Sequence, residues 1–161
     1  MTETRTQNSA GQLLTFVVAG EEFGVDILRV QEIRGWSRPM PLPRTPSYIR
    51  GVINIRGDIV PIADLRERLG LESLTPGPTT VIVVVRVEHA NRNRTMGFVV
   101  DAMSDVTTVE NDAVKPPPEL AETSTTSMAS GIALVEQRMI TILDVDRVFP
   151  TPNLHDVEQA A

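Results

Sequence analysis

The sequence predicts an all-β fold made of two tandem five-stranded β-barrels packed around a shared hydrophobic core, with short helices. Three observations lead there. Apolar residues make up 41% of the chain but aromatics only 4%, so the core is built from Val, Ile and Leu, and β-branched side chains suit pleated, half-buried surfaces. Short apolar runs alternate with turn signals throughout. The runs of the first half return in the same order in the second. The length of 161 residues suits one domain or two small, intimately packed subdomains.

The elements follow in order. Residues 13–19 form a short apolar run, and Gly20, Glu21 and Glu22 form a turn. Phe23, Val25 and Ile27 then alternate with Gly24 and Asp26, the period of a strand with one buried face. Residues 51–55 and 59–62 flank Arg56-Gly57-Asp58 as a hairpin with glycine in its turn. Pro61 cannot donate to a ladder, so its strand is open or bulged there. Asp64 caps a short helix through Leu69, closed by Gly70. Thr75-Pro-Gly-Pro is a break. Residues 81–87 are the strongest strand, 88–95 read as a polar hairpin loop, and 97–100 as the returning strand. A Pro-, Thr- and Ser-rich connection from Lys115 to Ser130 precedes a last hairpin, 132–135 with 139–143, and a short helix over 144–149.

The two halves align. Gly51 and Asp64 are thirteen apart, as are Gly131 and Asp144, and superposing them pairs Val52 with Ile132, Ile59 with Met139 and Ile62 with Ile142. Upstream, Gly24 and Gly97 each precede Ile33 and Val106 by nine, which pairs Val30 with Met103 and Glu32 with Asp105. Residues 14–18 likewise match 81–85. A unit of five short strands cannot bury both faces of a flat sheet; closing it into a barrel removes its edges. The expected organisation is one domain over 12–150, with a first barrel at roughly 20–72, a second at roughly 79–149, the N-terminal strand near their junction, and flexible tails at 1–11 and 151–161.

Chemistry is constrained by what is missing. No cysteine is present, and the two histidines, His89 and His155, stand apart from any carboxylate cluster with ligand spacing, so the expectation is no metal and no cofactor. The net charge of −6 argues against nucleic acid, whose phosphates require a basic surface. No stretch of about 18 apolar residues marks a membrane span, and the polar start lacks the apolar run of a signal peptide, so the cytoplasm is the expected compartment. One enzymatic alternative is a pseudo-twofold aspartate hydrolase using Asp64 and Asp144 as a proton-sharing pair. Their contexts, Asp64-Leu-Arg and Asp144-Val-Asp, suit helix capping better.

Several segments together carry a family resemblance: Glu22-Phe-Gly-Val-Asp-Ile-Leu, Val30-Gln-Glu-Ile-Arg-Gly, Pro46-Ser-Tyr-Ile-Arg-Gly-Val-Ile-Asn-Ile-Arg-Gly, Ile59-Val-Pro-Ile-Ala-Asp-Leu and Val99-Val-Asp-Ala-Met-Ser-Asp-Val. In this order, across nearly the whole chain, they resemble the CheW family of chemotaxis adaptors. The resemblance implies SH3-like barrels and a non-catalytic coupling role. Its partners would be the cytoplasmic tip of a methyl-accepting chemotaxis receptor and the regulatory domain of the histidine kinase CheA, in membrane-associated arrays. A scaffold in another chemosensory pathway, controlling surface motility or a second messenger, is the alternative output. The resemblance places receptor contacts in a groove between the barrels at Val30, Ile33, Gly51, Arg56, Met103 and Val106. Glu32 and Gly57 follow as kinase or orientation contacts. The segment 119–130 departs from the bulkier one usual in the family, so kinase contacts are not assigned there. Arg56 and Gly57 have no counterpart in the second half, where 134–138 read Leu-Val-Glu-Gln-Arg, and that turn is the expected partner contact.

Overall fold

The apolar runs become eleven strands in a computed structural model that describes residues 10–89, 92–117 and 127–149. They are β1 (Ala10–Val18), β2 (Glu21–Asp26), β3 (Val30–Gly35), β4 (Ile49–Ile55), β5 (Asp58–Asp64), β6 (Val81–His89), β7 (Arg92–Val100), β8 (Ala102–Glu110), β9 (Val114–Lys115), β10 (Ala129–Val135) and β11 (Arg138–Leu143). Two helical turns, α1 (Leu65–Arg68) and α2 (Val145–Val148), follow β5 and β11. Asp64 and Asp144 cap them, accepting from the Arg66 and Asp146 amides at 3.0 Å each. No helix is long and apolar enough to cross a membrane among the described residues.

The strands form two curled sheets, ordered β8-β1-β2-β11-β10-β9 and β3-β6-β7-β5-β4. A central cluster belongs to both: Leu14, Phe16 and Val25 from one sheet meet Val83, Val85 and Phe98 from the other. All four phenylalanines lie in it, with Phe98 5.4 Å from Phe16 and 6.0 Å from Phe149. Each sheet also has a small interior of its own, Ile62, Ile82 and Val99 in one, Leu13, Ala133 and Ile140 in the other. β6 contributes to both kinds of core, which explains its uninterrupted apolar run.

The strand partition differs from the one expected from chain halves, 20–72 and 79–149. Within each repeat, the first two strands pair with the last three of the other repeat. β1 and β2 join β8, β10 and β11; β6 and β7 join β3, β4 and β5. The sheets then have the same internal order, third-first-second-fifth-fourth. The repeat is real, but the barrels are exchanged between its copies, so one barrel is residues 30–100 and the other is assembled from both ends of the chain. Periodicity says which face of a strand is buried, not which strand lies beside it.

Other expectations shift in detail. The 88–95 loop is largely strand, since β6 runs to His89 and β7 begins at Arg92. β3 and β8, read as polar connection, are edge strands; each carries a bulge, near Gln31 and near Ser104, that breaks the period of two. The expected match of 14–18 with 81–85 is two residues out, for Thr15 faces Gly24 while Val84 faces Gly97. A slip of two preserves the buried face, so the pattern could not reveal it. β1 already begins at Ala10; residues 1–9 and 150–161 lie outside the described region, as does most of the 119–130 segment. Met128, within that segment, is buried in the central cluster.

Candidate partner-binding surface

β3 and β8 occupy equivalent edges of the two sheets, each bonded on one side only, to β6 and to β1. Val30 faces Val85, and Met103 faces Phe16 at the equivalent register. Both are half-buried against the central cluster. One step beyond the bulges, Ile33 and Val106 are 43% and 50% exposed, opposite Val83 and Leu14. Thus the four apolar candidates are two equivalent pairs, one member seated on the shared core and the other open to solvent.

Arg56 and Gly57 form the β4–β5 turn with φ of 50° and 92°. Two consecutive positive φ values match the twist of a two-residue hairpin, and the Asn54 Oδ1 accepts from the Gly57 amide at 2.8 Å. The turn delivers Arg56 to Glu32 on β3, Nη2 to Oε1 2.6 Å, and Arg34 donates to the same carboxylate at 3.1 Å. The Arg56 hydrogen bond holds the Glu32 carboxyl below its ordinary range. Arg56 remains 75% exposed, so its guanidinium is presented and braced at once. Glu32 therefore pairs within the chain, resolving the two options the sequence left open.

The second barrel has the same clasp in altered form. Asp105, the counterpart of Glu32, receives Arg138 from the β10–β11 hairpin, Nη2 to Oδ1 3.1 Å. Arg138 also binds Glu22 bidentately, at 3.0 and 2.6 Å. Thr15 and Thr107 hydroxyls donate to Asp105 at 2.6 and 2.8 Å, and these bonds, with Arg138, pull its carboxyl down. Arg138 is raised above the usual arginine range, chiefly by Glu22. An arginine two positions past the aligned turn was invisible as an equivalent of Arg56. Bracing an edge-strand acid is thus common to both barrels; the exposure of Arg56 is what distinguishes the first.

Gly51 is not at the surface. It is buried with φ of 143°, and a Cβ there would stand 2.2 Å from the Met40 carbonyl oxygen. Met40 exchanges two backbone hydrogen bonds with Val52 at 2.8 and 2.9 Å, so glycine admits the crossing 36–48 segment. Lys115 of β9 takes the corresponding place beside Ile132. Gly57, by contrast, is open, with nothing near its missing Cβ.

Two further clasps join the barrels. Arg66 of α1 binds Asp101 between β7 and β8 at 3.0 and 2.7 Å, and Asp101 also accepts from the Ala19 amide at 2.9 Å. At the equivalent place the polarity reverses: Arg29, between β2 and β3, binds Asp146 of α2 at 2.9 and 2.7 Å. Each arginine depresses its partner carboxyl. Arg68 donates to the Val148 carbonyl at 2.7 Å, joining the two helical turns.

Asp64 is 1% exposed and accepts from the Arg66 and Leu74 amides and from Arg50. Its lone pairs are committed, and no hydrogen bond joins it to Asp144 among the described residues, so the hydrolase pair has no geometric basis. No group of His, Asp and Glu that could hold a metal occurs among the described residues.

A double barrel whose apolar and charged features are edge strands and exposed turns belongs to the class of non-catalytic protein scaffolds. The family follows from comparison. The model for the CheW-like domain matches residues 12–152. The chain is 40% identical over 144 residues to the chemotaxis protein CheW of Rhizobium meliloti, covering 89% of this chain and 90% of that one. It is 35% identical over 150 residues to that of Klebsiella aerogenes, covering 93% and 88%. The scaffolding protein TtCheW from Thermoanaerobacter tengcongensis superposes with a TM-score of 0.78 at 29% identity, over 87% of this chain and 92% of that one. The chain belongs to the CheW-like family and is a chemotaxis scaffold protein.

Proposed function

We propose that this protein couples methyl-accepting chemoreceptors to the histidine kinase CheA, binding the helical cytoplasmic tip of the receptor between β3 and β8 and the regulatory domain of the kinase elsewhere on the barrels. It would work in the cytoplasm, recruited to membrane-associated arrays. The observation that carries this reading is the equivalence of the two edge strands. Val30 with Ile33 and Met103 with Val106 offer matched apolar steps from two barrels, and a helix docks through apolar anchors spaced along one face. Arg56, braced by Glu32, supplies a charged contact that orients the helix, and Gly57 leaves its approach unobstructed. Gly51 serves this surface indirectly, by seating the crossing segment.

The test is co-sedimentation with receptor-containing membranes and CheA, with kinase activity read in the same sample. Val30→Asp and Met103→Asp should each reduce receptor capture at least about tenfold, because a carboxylate replaces an apolar anchor. Each variant should keep the native circular dichroism spectrum. Full kinase activation by both well-folded variants would refute the surface.

A further inference from the structure

The parallel ladder between β5 and β7 pairs Ile62 with Gly97, Ala63 with Phe98 and Asp64 with Val99. Towards Asp58 and Arg92 the strands part, since Pro61 has no amide hydrogen with which to continue. The same parting occurs in the other barrel between β11 and β2, whose ladder begins at Thr141 with Phe23. There Arg138 crosses to Glu22 with two short hydrogen bonds and closes the gap. The repeat places Asp58 where Arg138 stands and Thr95 where Glu22 stands. That pair cannot form an ion pair, and the gap remains as a cavity of about 580 Å³ lined by Leu42, Val52, Ile59, Pro61, Met96 and Arg94.

Arg94 is the telling group. Its Nε is buried and has no hydrogen-bond partner, although buried donors are nearly always paired. Its surroundings are aliphatic, and Ile59 and Leu42 are 64% and 40% exposed at the same opening. Exposed Asp58 is also at the opening and disfavours a dianion, whereas a single carboxylate carried on an apolar segment satisfies both the guanidinium and the aliphatic lining.

We propose that this gap is a docking slot for a protein partner's acidic side chain flanked by aliphatic residues, the carboxylate accepting from Arg94 Nε and the flanks resting on Ile59 and Leu42. The slot lies on β4, β5 and β7, away from the β3–β8 surface, and does not depend on the coupling reading.

The test is an NMR titration of the full chain with the capped peptide acetyl-Val-Leu-Glu-Leu-Val-amide, its Glu→Gln counterpart and inorganic phosphate as probes. The Glu peptide should move the Arg94 Nε–Hε signal and the Ile59, Thr95 and Met96 amides in a saturable way. The Gln peptide should bind about tenfold more weakly, the worth of one charge-assisted hydrogen bond. Arg94→Gln should lose the distinction between the peptides. A second variant, Asp58→Arg with Thr95→Glu, rebuilds the ion pair of the other barrel and should abolish the shifts while the remaining amide spectrum is kept. No shift at millimolar peptide, equal binding of both peptides, equal movement of Arg94 by phosphate, or undiminished binding by the rebuilt pair would each overturn the proposal.

Discussion

Replacing Gly51 with alanine tests the interpretation of that residue as a backbone requirement, and Gly131 supplies the control within the same molecule. At Gly51 a Cβ would meet the Met40 carbonyl oxygen at 2.2 Å and carbon at 2.6 Å, and φ is 143°. Such a conformation costs a non-glycine residue about 1–3 kcal/mol. Moving Met40 away breaks its two hydrogen bonds to Val52, worth about 1 kcal/mol each. The expected loss is about 3–5 kcal/mol. At Gly131 no positive φ is required, and the nearest obstacle is a side-chain methyl, Val114 Cγ1 at 2.8 Å, with the Lys115 carbonyl oxygen at 3.1 Å. That is ordinary overpacking, about 1–2 kcal/mol. Urea denaturation of both variants should show midpoints about 1 M apart at a slope of about 2 kcal/mol/M, with Gly51→Ala the weaker. Equal midpoints would refute the steric argument. A normal midpoint with lost receptor capture would return Gly51 to the list of direct contacts.

Removing Asp101 by Asp101→Asn should cost about 1–2 kcal/mol, the worth of a half-buried bidentate pair, and the same should hold for Asp146→Asn; thermal unfolding measures both. The folded-state pKa of each aspartate is depressed, first by its arginine. Their stabilisation is therefore complete above the unfolded value of about 4 and fades as pH falls through the folded one, so either variant should show a shallower loss of stability in acid. Reversing the Arg29–Asp146 pair, Arg29→Asp with Asp146→Arg, should recover part of the stability that Arg29→Asp alone removes, which a double-mutant cycle reads directly. Arg92→Glu, at an exposed position outside both proposed surfaces, should leave receptor capture and kinase activation unchanged in the co-sedimentation assay.

The reversed polarity of the two inter-barrel clasps bears on how a duplicated chain finds one pairing. Two copies of the first repeat would set Arg66 beside the Arg29 segment, and two of the second would set Asp146 beside Asp101. Each like-charge meeting is unfavourable, and only the mixed arrangement satisfies both pairs. The exchange of strands between repeats thus carries its own electrostatic specification.

Much of the fold was legible because it depends on local regularities. Alternation marked β2, β4, β5, β10 and β11, the aspartates marked both helical turns, and spacing revealed the duplication. β3 and β8 were obscured by their bulges and by the charged residues an edge tolerates. The candidate surface was half legible. The alignment joined Val30 to Met103 and Ile33 to Val106, but placed Gly51 among the contacts when its burial serves Met40. It also made Arg56 unique, whereas Arg138 performs the same bracing from two residues away. Arg94 gave no signal at all, since one arginine among fourteen is distinguished only by lacking a partner.

By itself the sequence determined the class of fold, the repeat, the buried face of each recognised strand and the family, because all of these are written in residue type and spacing along the chain. Tertiary structure alone decided which strands share a barrel, which arginine braces which acid, and which of two equivalent gaps is closed. Those outcomes depend on residues some eighty positions apart meeting in space, and a one-dimensional pattern carries no record of that meeting.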